Sequence, residues 1–148
     1  MASEDVLTAA GLPAEQAAKS VATYTTFKPG KGLASIFYVH KMKPDGDEAE
    51  AKKHFQAYTD AARKAKGHIS VSHAYSEATK EMICTDVMNG PDAMDNHIGH
   101  CFPAYAKMIG SGVEMTETLA VVPAEEVDWW TDSLKAWGAT RFVVLAAQ

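Results

Sequence analysis

The 148-residue chain has little cysteine, no long apolar run and no visible pattern of a secretory signal. It contains two cysteines, Cys84 and Cys101, without a Cys-x-x-Cys spacing. This excludes a disulfide scaffold and favours two buried free thiols. No apolar segment approaches the roughly 20 residues of a membrane span. The first eleven residues include Glu4 and Asp5 where a leader has basic and then apolar residues, so we expect a cytoplasmic protein.

Charge and glycine usage argue against two further classes of function. The net charge is −5, from 14 basic and 19 acidic residues, and the few adjacent basic residues fall between Lys52 and Lys66. Nucleic-acid binding is therefore disfavoured, and these lysines fit the solvated face of a helix. Gly30-Lys31-Gly32 lacks the strand-to-helix context of a nucleotide-binding loop. We therefore predict no flavin, nicotinamide or other cofactor.

The remaining pattern divides into an N-terminal helical arm, residues 1–32, and one domain, residues 33–148. Apolar residues make up 47% and charged residues 22% of the chain, which is ordinary globular usage. The arm contains a predicted helix over 12–21. Runs of alternating, β-branched or aromatic residues predict strands over 33–42, 69–75, 81–88, 113–122 and 140–145. Helix-start and helix-stop residues predict helices over 47–67, 92–109 and 123–137, and Pro103 is expected to kink or divide the second.

The order of these elements predicts an α+β fold of the ferredoxin-like βαββαβ type, followed by an extra C-terminal helix and strand. This split βαβ order forms one antiparallel sheet with both helices on the same face. The other face of the sheet then needs cover. A second copy of the chain would supply it, so we expect a homodimer in the form of a dimeric α+β barrel.

Two stretches resemble the antibiotic biosynthesis monooxygenase family. The first runs from Asp86 through a turn into a helix that carries His97, and an apolar patch with Tyr105 follows. The second is Pro-Ala-Glu-Glu at 123–126, followed by a Gly-Ala turn and the phenylalanine-containing stretch 138–142. The similarity spans about residues 33–145. Members of this family are small dimeric α+β barrels that include cofactor-independent quinol oxygenases and haem-degrading relatives. The family usually has a glutamate where this chain has Asp86.

The resemblance implies a catalytic set of His97, Asp86, His73, Asn96 and Tyr105. In this interpretation Asp86 orients the imidazole of His97, and His97 or His73 helps to deprotonate a phenol or quinol. Asn96 or Tyr105 then donates a hydrogen bond to the oxyanion. The partner is a small apolar or aromatic molecule. Either histidine could instead be satisfied inside the core. His73 is predicted to share a strand face with Ile69, Val71 and Tyr75.

Three alternatives remain open at this point. His97, His100 and Cys101 stand at i, i+3 and i+4, which would place all three on one helix face as potential metal ligands, although no fourth ligand accompanies them. His97 or His100 could instead be an axial ligand of haem. The chain could also be a non-catalytic protein that binds a hydrophobic small molecule and uses its arm for partner contacts.

Overall fold

A computed structural model describes residues 1–148 and contains five α-helices, one short 3-10 helix and five strands. In chain order the elements are α1 (Glu4–Ala9), α2 (Ala14–Thr26), β1 (Ala34–Met42), α3 (Glu48–Ala62), β2 (His68–Ser76), β3 (Glu81–Met88), α4 (Pro91–Gly110), β4 (Val113–Val122), the 3-10 helix Ala124–Glu126, α5 (Val127–Lys135) and β5 (Arg141–Ala146). The sequence missed α1 and ended α2 five residues early. None of the helices combines the length and apolar character needed to cross a membrane.

The strands form one sheet in the order β2-β3-β1-β4-β5, which confirms the expected α+β class. All neighbours are antiparallel except β4 and β5, which run parallel. The helices α3 and α4 lie on one face of this sheet. Tyr58 of α3 contacts both Tyr38 of β1 and His97 of α4, so the three elements meet around a common centre.

The helix α4 is continuous over its 20 residues, so Pro103 does not divide it. Proline lacks an amide hydrogen and therefore leaves the carbonyl of residue i−4 without its helical partner. Here that carbonyl belongs to Gly99, and it accepts a hydrogen bond from the amide of Ala2 at 3.1 Å. Gly99 has no side chain, so Met1 and Ser20 pack directly against it. The arm thus completes the hydrogen bonding of α4, and its Leu7 is fully buried in the common core.

A bulge in β2 changes which of its side chains face the helices. The pairing with β3 shifts between His68 and Ser70, so Ile69 points outward and is 59% exposed. The expectation that Ile69 shares a face with Val71 and His73 is therefore wrong. Because of the bulge, His68 takes the inward position instead, with 4% of its side chain exposed.

The face of the sheet away from the helices carries exposed apolar side chains. Leu119 and Val121 of β4 alternate with the buried Ala120, and Leu145 of β5 pairs beside Val121. The three exposed side chains retain 40%, 39% and 51% of their accessible surface. A contiguous apolar surface of this kind is typical of an interaction site.

The arm is fixed to the start of α4 by a close approach of two glycines. The amide of Gly30 donates to the carbonyl of Asn89 at 3.1 Å. A Cβ atom on Gly30 would lie 2.4 Å from the Cα of Gly90, which itself has a φ of +86°. Only glycine at both positions allows the two backbones to lie so close.

We expect Gly30→Ala to lower the free energy of unfolding by about 1–3 kcal/mol, because the added methyl group collides with backbone atoms that cannot rotate away. Gly110→Ala is the matched control, since a Cβ there meets nothing within 4 Å. This control should be neutral or stabilising, by about 0.5–1 kcal/mol, because it removes a glycine from a helix. Urea denaturation measures both. Equal stability of Gly30→Ala and the wild type would contradict the close approach.

Candidate active site

Six polar side chains are buried together between the sheet and the helices α3 and α4. Each side chain in this group is at most 6% exposed, which is unusual for residues with ionisable groups. We call this group the polar cluster. Its members are Tyr38 of β1, Tyr58 of α3, His68 and His73 of β2, Asp86 of β3 and His97 of α4.

Asp86 is the one carboxylate of the polar cluster, and donors face both of its oxygens. Oδ1 accepts a hydrogen bond from Nε2 of His73 at 3.0 Å, and Oδ2 accepts one from the hydroxyl of Tyr38. Nε2 of His68 lies 3.9 Å from Oδ2. Burial by itself raises the pKa of Asp86, but the interactions with His68 and His73 and the nearby His97 outweigh it and hold the pKa well below its usual range. Asp86 is therefore ionised at neutral pH.

Hydrogen bonds connect the remaining members into a chain that ends at Asp86. The hydroxyl of Tyr58 lies 3.2 Å from that of Tyr38 and 3.0 Å from Nε2 of His97. Nδ1 of His97 lies 3.2 Å from Nε2 of His68. Because Tyr38 donates to the carboxylate, Tyr58 can donate to Tyr38. The oxygen of Tyr58 then accepts from Nε2–H of His97, whose Nδ1 accepts from His68.

Three groups along this chain, His97, Tyr38 and Tyr58, are neutral at neutral pH. Burial, followed by the nearby His68, lowers the pKa of His97 to about 3, and the attraction of Asp86 offsets this only in part. Burial raises the pKa of the Tyr38 and Tyr58 hydroxyls well above their ordinary value. The polar cluster therefore combines one carboxylate with a neutral imidazole and two neutral phenols along a continuous hydrogen-bonded path.

His73 supports Asp86 from the side of α3. Its Nδ1 lies 2.9 Å from the hydroxyl of Thr59, which itself donates to the carbonyl of Phe55. The two nitrogens of His73 thus face two different partners, Nδ1 the hydroxyl of Thr59 and Nε2 the carboxylate of Asp86. The ring of Tyr58 stacks on His73 with a centroid distance of 5.4 Å and an interplanar angle of 15°. The imidazole is thus held on both its edges and its face.

A mostly apolar cavity adjoins the polar cluster. Tyr38, Tyr58 and His97 form part of its wall, and Tyr105 and Leu134 line it from the helical side. Its volume is about 20 Å³, enough for about one water molecule. A group held in this cavity would touch the hydrogen-bonded chain directly.

A larger groove lies outside this cavity, between the arm, α4 and α5. Its volume is about 590 Å³, and Lys19, Phe102 and Trp129 are among its lining residues. Trp137, just after α5, lines both the groove and the cavity. Its ring packs edge-on against the ring of Tyr105, with 4.8 Å between the ring centroids. The indole of Trp137 therefore forms a wall shared by the two spaces.

The structure brings four of the five residues proposed from the sequence to this site. His73, Asp86 and His97 belong to the polar cluster, and Tyr105 lines the cavity. The expected hydrogen bond between Asp86 and His97 is not formed, because Tyr58 and His68 take the two nitrogens of that imidazole.

Asn96 lies outside the site. Its Nδ2 donates to the carbonyls of Thr23 and Asp92. Asn96 precedes His97 on α4, and one residue turns an α-helix by about 100°, so it faces the arm while His97 faces the sheet. The expected hydrogen bond from Asn96 to an oxyanion is therefore not supported at this cavity.

The proposed ligand group of His97, His100 and Cys101 is also divided. Sγ of Cys101 lies 3.6 Å from Nδ1 of His97. His100 instead contacts the ring of Tyr24 on the arm, and its Nδ1 bonds the carbonyl of Asn96. A different group, namely His68, Asp86 and His97, has one potential metal-binding atom from each residue within 4.8 Å of the others.

Sequence reasoning missed Tyr38, Tyr58 and His68. Tyr58 stands three residues after Phe55 on the apolar stripe of α3, where a buried hydroxyl needs a partner, and this was the available signal. Tyr38 stands two residues after the buried Ile36 on β1 and therefore shares its inward face, which was a similar signal. His68 gave no such signal, because the bulge reverses its direction.

Comparison with known proteins relates the chain to others by fold. No protein-family model and no curated protein sequence matches it. The crystal structure of MupZ from Pseudomonas fluorescens superposes with a TM-score of 0.63 at 12% identity, covering 78% of this chain and 90% of MupZ. Rv0793 from Mycobacterium tuberculosis gives a TM-score of 0.50 at 18% identity, covering 62% of this chain and 95% of that one.

A third structure, from Chloroflexus aurantiacus J-10-fl, is described as a candidate antibiotic biosynthesis monooxygenase. It has 14% identity and a TM-score of 0.48 and covers 63% of this chain and 94% of its own, so it adds no argument of its own. The stronger similarities, to MupZ and Rv0793, show a shared fold. The α+β fold that the sequence predicts is thus shared with these two solved structures.

Proposed function

We propose that this chain is an enzyme that removes the hydroxyl proton of a small, flat, mostly apolar phenol or quinol and lets the resulting anion react with dioxygen. This is the chemistry of a cofactor-independent monooxygenase. The observation that carries the proposal is the hydrogen-bonded chain of the polar cluster, which reaches the wall of an apolar cavity at Tyr58 and His97. Apolar cavities with a few placed polar groups are typical ligand sites.

The proton step uses the ability of each chain member to donate and to accept. The step starts from the opposite tautomer to the one described above: His97 carries its hydrogen on Nδ1, pointing toward His68, and its Nε2 accepts from the hydroxyl of Tyr58, which then no longer donates to Tyr38. The oxygen of Tyr58 is then free to accept the hydroxyl hydrogen of a substrate in the cavity. Transfer along this path leaves the substrate as an oxyanion and His97 as an imidazolium, which the carboxylate of Asp86 stabilises.

The oxidation step balances with dioxygen as the only co-reactant. A phenol and O₂ give a para-quinone and water. The ring loses its hydroxyl hydrogen and the hydrogen on the para carbon, while one oxygen atom forms the new carbonyl group. The other oxygen atom leaves as water with the two hydrogens, and the ring supplies the four electrons. The protein contributes proton removal and an apolar enclosure, in which the electron-rich anion meets dioxygen.

Substrate access requires movement, because the cavity of about 20 Å³ is far smaller than a phenol. The outer groove of about 590 Å³ is in the usual range for small-molecule sites, roughly 300–1,000 Å³. Trp137 separates the two spaces and lies between α5 and β5, outside both elements. We therefore propose the groove as the access route and Trp137 as the side chain that moves.

Homodimer formation is part of the same proposal. The exposed Leu119, Val121 and Leu145 form an apolar surface on the open face of the sheet. Burial against the same surface of a second copy would remove these side chains from water. A dimer would leave the polar cluster within each subunit, because the cluster lies on the opposite face, under α3 and α4.

Two alternatives find less support. A non-catalytic carrier fits the apolar cavity but leaves the buried hydrogen-bonded chain without a use. Haem fits poorly, because both nitrogens of His97 are engaged by Tyr58 and His68.

We expect His97→Ala to lower kcat/KM for the best substrate of a phenol and quinol panel by about 100-fold or more, because the proton acceptor is lost. Oxygen consumption measures turnover. His100→Ala is the control, because this imidazole lies one turn further along α4 and faces the arm. Similar turnover of His97→Ala and the wild type would contradict the proton step. Tight binding of a panel member without oxygen uptake by the wild type would favour the carrier instead.

The access route predicts different effects for two tryptophans. Trp137→Ala should raise the association rate of a fluorescent phenol such as a naphthol by several-fold, because it removes the wall between the groove and the cavity. Trp129→Ala alters the groove alone and should leave the rate near that of the wild type. Stopped-flow fluorescence provides the measurement. Equal rates for Trp137→Ala and the wild type would exclude Trp137 as the barrier.

A further inference from the structure

Three potential metal-binding atoms of the polar cluster lie close together, one each from His68, Asp86 and His97. Nε2 of His68 lies 3.2 Å from Nδ1 of His97 and 3.9 Å from Oδ2 of Asp86. All three residues present one donor atom within 4.8 Å of the others. A tetrahedral ion with bonds of 2.0–2.1 Å separates its ligand atoms by about 3.3 Å. The distances of 3.2 Å and 3.9 Å between these ligand atoms are therefore close to the separation in a tetrahedral site.

The residues around this trio orient it as the surroundings of a metal site do. The hydroxyl of Tyr58 lies 3.0 Å from Nε2 of His97, so the nitrogen that faces away from the trio is also held. His73 and Tyr38 hold the oxygens of Asp86. Such partners fix the direction of ligating atoms and commonly change metal affinity by about 10- to 100-fold.

The chemistry of the trio selects a class of ion. Two imidazoles and one carboxylate suit zinc, iron(II) or cobalt(II) better than magnesium or calcium, which prefer oxygen ligands alone.

We propose that His68, Asp86 and His97 form a binding site for one divalent transition-metal ion of the zinc class. The site goes beyond the proposed oxygenase function, which uses no metal. An ion bound to Nδ1 of His97 displaces the hydrogen between the two imidazoles and leaves Nε2 protonated. His97 then cannot accept a proton from Tyr58. Metal binding and proton removal are therefore mutually exclusive states of the polar cluster, and the ion acts as an inhibitor.

Cobalt(II) and zinc titrations of the purified, tag-free protein test the site. We expect one ion per chain, visible as cobalt absorption bands of a four- or five-coordinate site, which zinc then abolishes. Asp86→Asn and His68→Gln should weaken binding by at least 10-fold. His54→Gln is the matched control, since His54 pairs with Glu50 at 3.3 Å on the surface and should leave binding unchanged. Circular dichroism shows whether each variant folds, and His68→Gln decides the matter if Asp86→Asn does not fold.

Two results would overturn the metal site. One is unchanged stoichiometry and affinity in folded His68→Gln. The other is that cobalt(II) stays unbound, with the spectrum of the hexa-aqua ion, even at protein concentrations well above those used for zinc binding. Oxygen uptake measured with a chelator present reports on the proposed function separately, because that reaction needs no ion. Where uptake is observed, zinc should inhibit the wild type over the concentration range in which it binds, and inhibit His68→Gln only at concentrations at least 10-fold higher.

Discussion

The buried carboxylate of Asp86 is the constraint on which the site depends. An ionised carboxylate inside a protein is costly unless donors replace the water that it loses. Here the donors come from β1 and β2, through Tyr38 and His73. Removing either donor would leave a buried charge in part uncompensated. The identity and direction of the surrounding side chains therefore follow from keeping this one charge in the core.

The same requirement extends to the second layer of residues. Tyr38 donates to the carboxylate and so needs a donor for its own oxygen, which Tyr58 of α3 supplies. Tyr58 in turn contacts His97 of α4. The polar cluster therefore fixes the depth at which both helices lie on the sheet. It also explains why two tyrosines and an imidazole lie at the wall of an apolar cavity in place of leucine or phenylalanine.

The arm stabilises the helix that carries His97. Ala2 supplies the hydrogen bond that Pro103 cannot, and Gly99 gives the arm room to approach α4. Nearer the start of the same helix, Lys19 of the arm forms a salt bridge with Asp95, whose side chain is only 3% exposed. These contacts make the arm part of the core structure. They also place one wall of the outer groove, so the arm and the access route are physically linked.

The sequence predicted the architecture better than the details of the site. Period-two alternation placed β3 at its observed bounds, since that signal depends only on which face is buried, and β4 also has the predicted bounds. The inward direction of His68 depends on a bulge, which leaves no mark in the alternation. Tyr38 and Tyr58 were not predicted as site residues, because only the tertiary structure shows which groups their buried hydroxyls contact. The sequence does not show that α4 continues through Pro103. The donor that replaces the missing helical hydrogen bond is the amide of Ala2, which lies about one hundred residues away in the sequence.

The most direct test of this account is a pH titration of the histidine ring nitrogens by NMR, with Tyr58→Phe as a comparison. The account predicts that His97 stays neutral from pH 8 to pH 5, because burial lowers its pKa to about 3. It also predicts that one ring nitrogen carries hydrogen, that the other accepts, and that this distribution changes in Tyr58→Phe. Titration of His97 near pH 6.5, with no response to the loss of the Tyr58 hydroxyl, would contradict a buried hydrogen-bonded chain at this site.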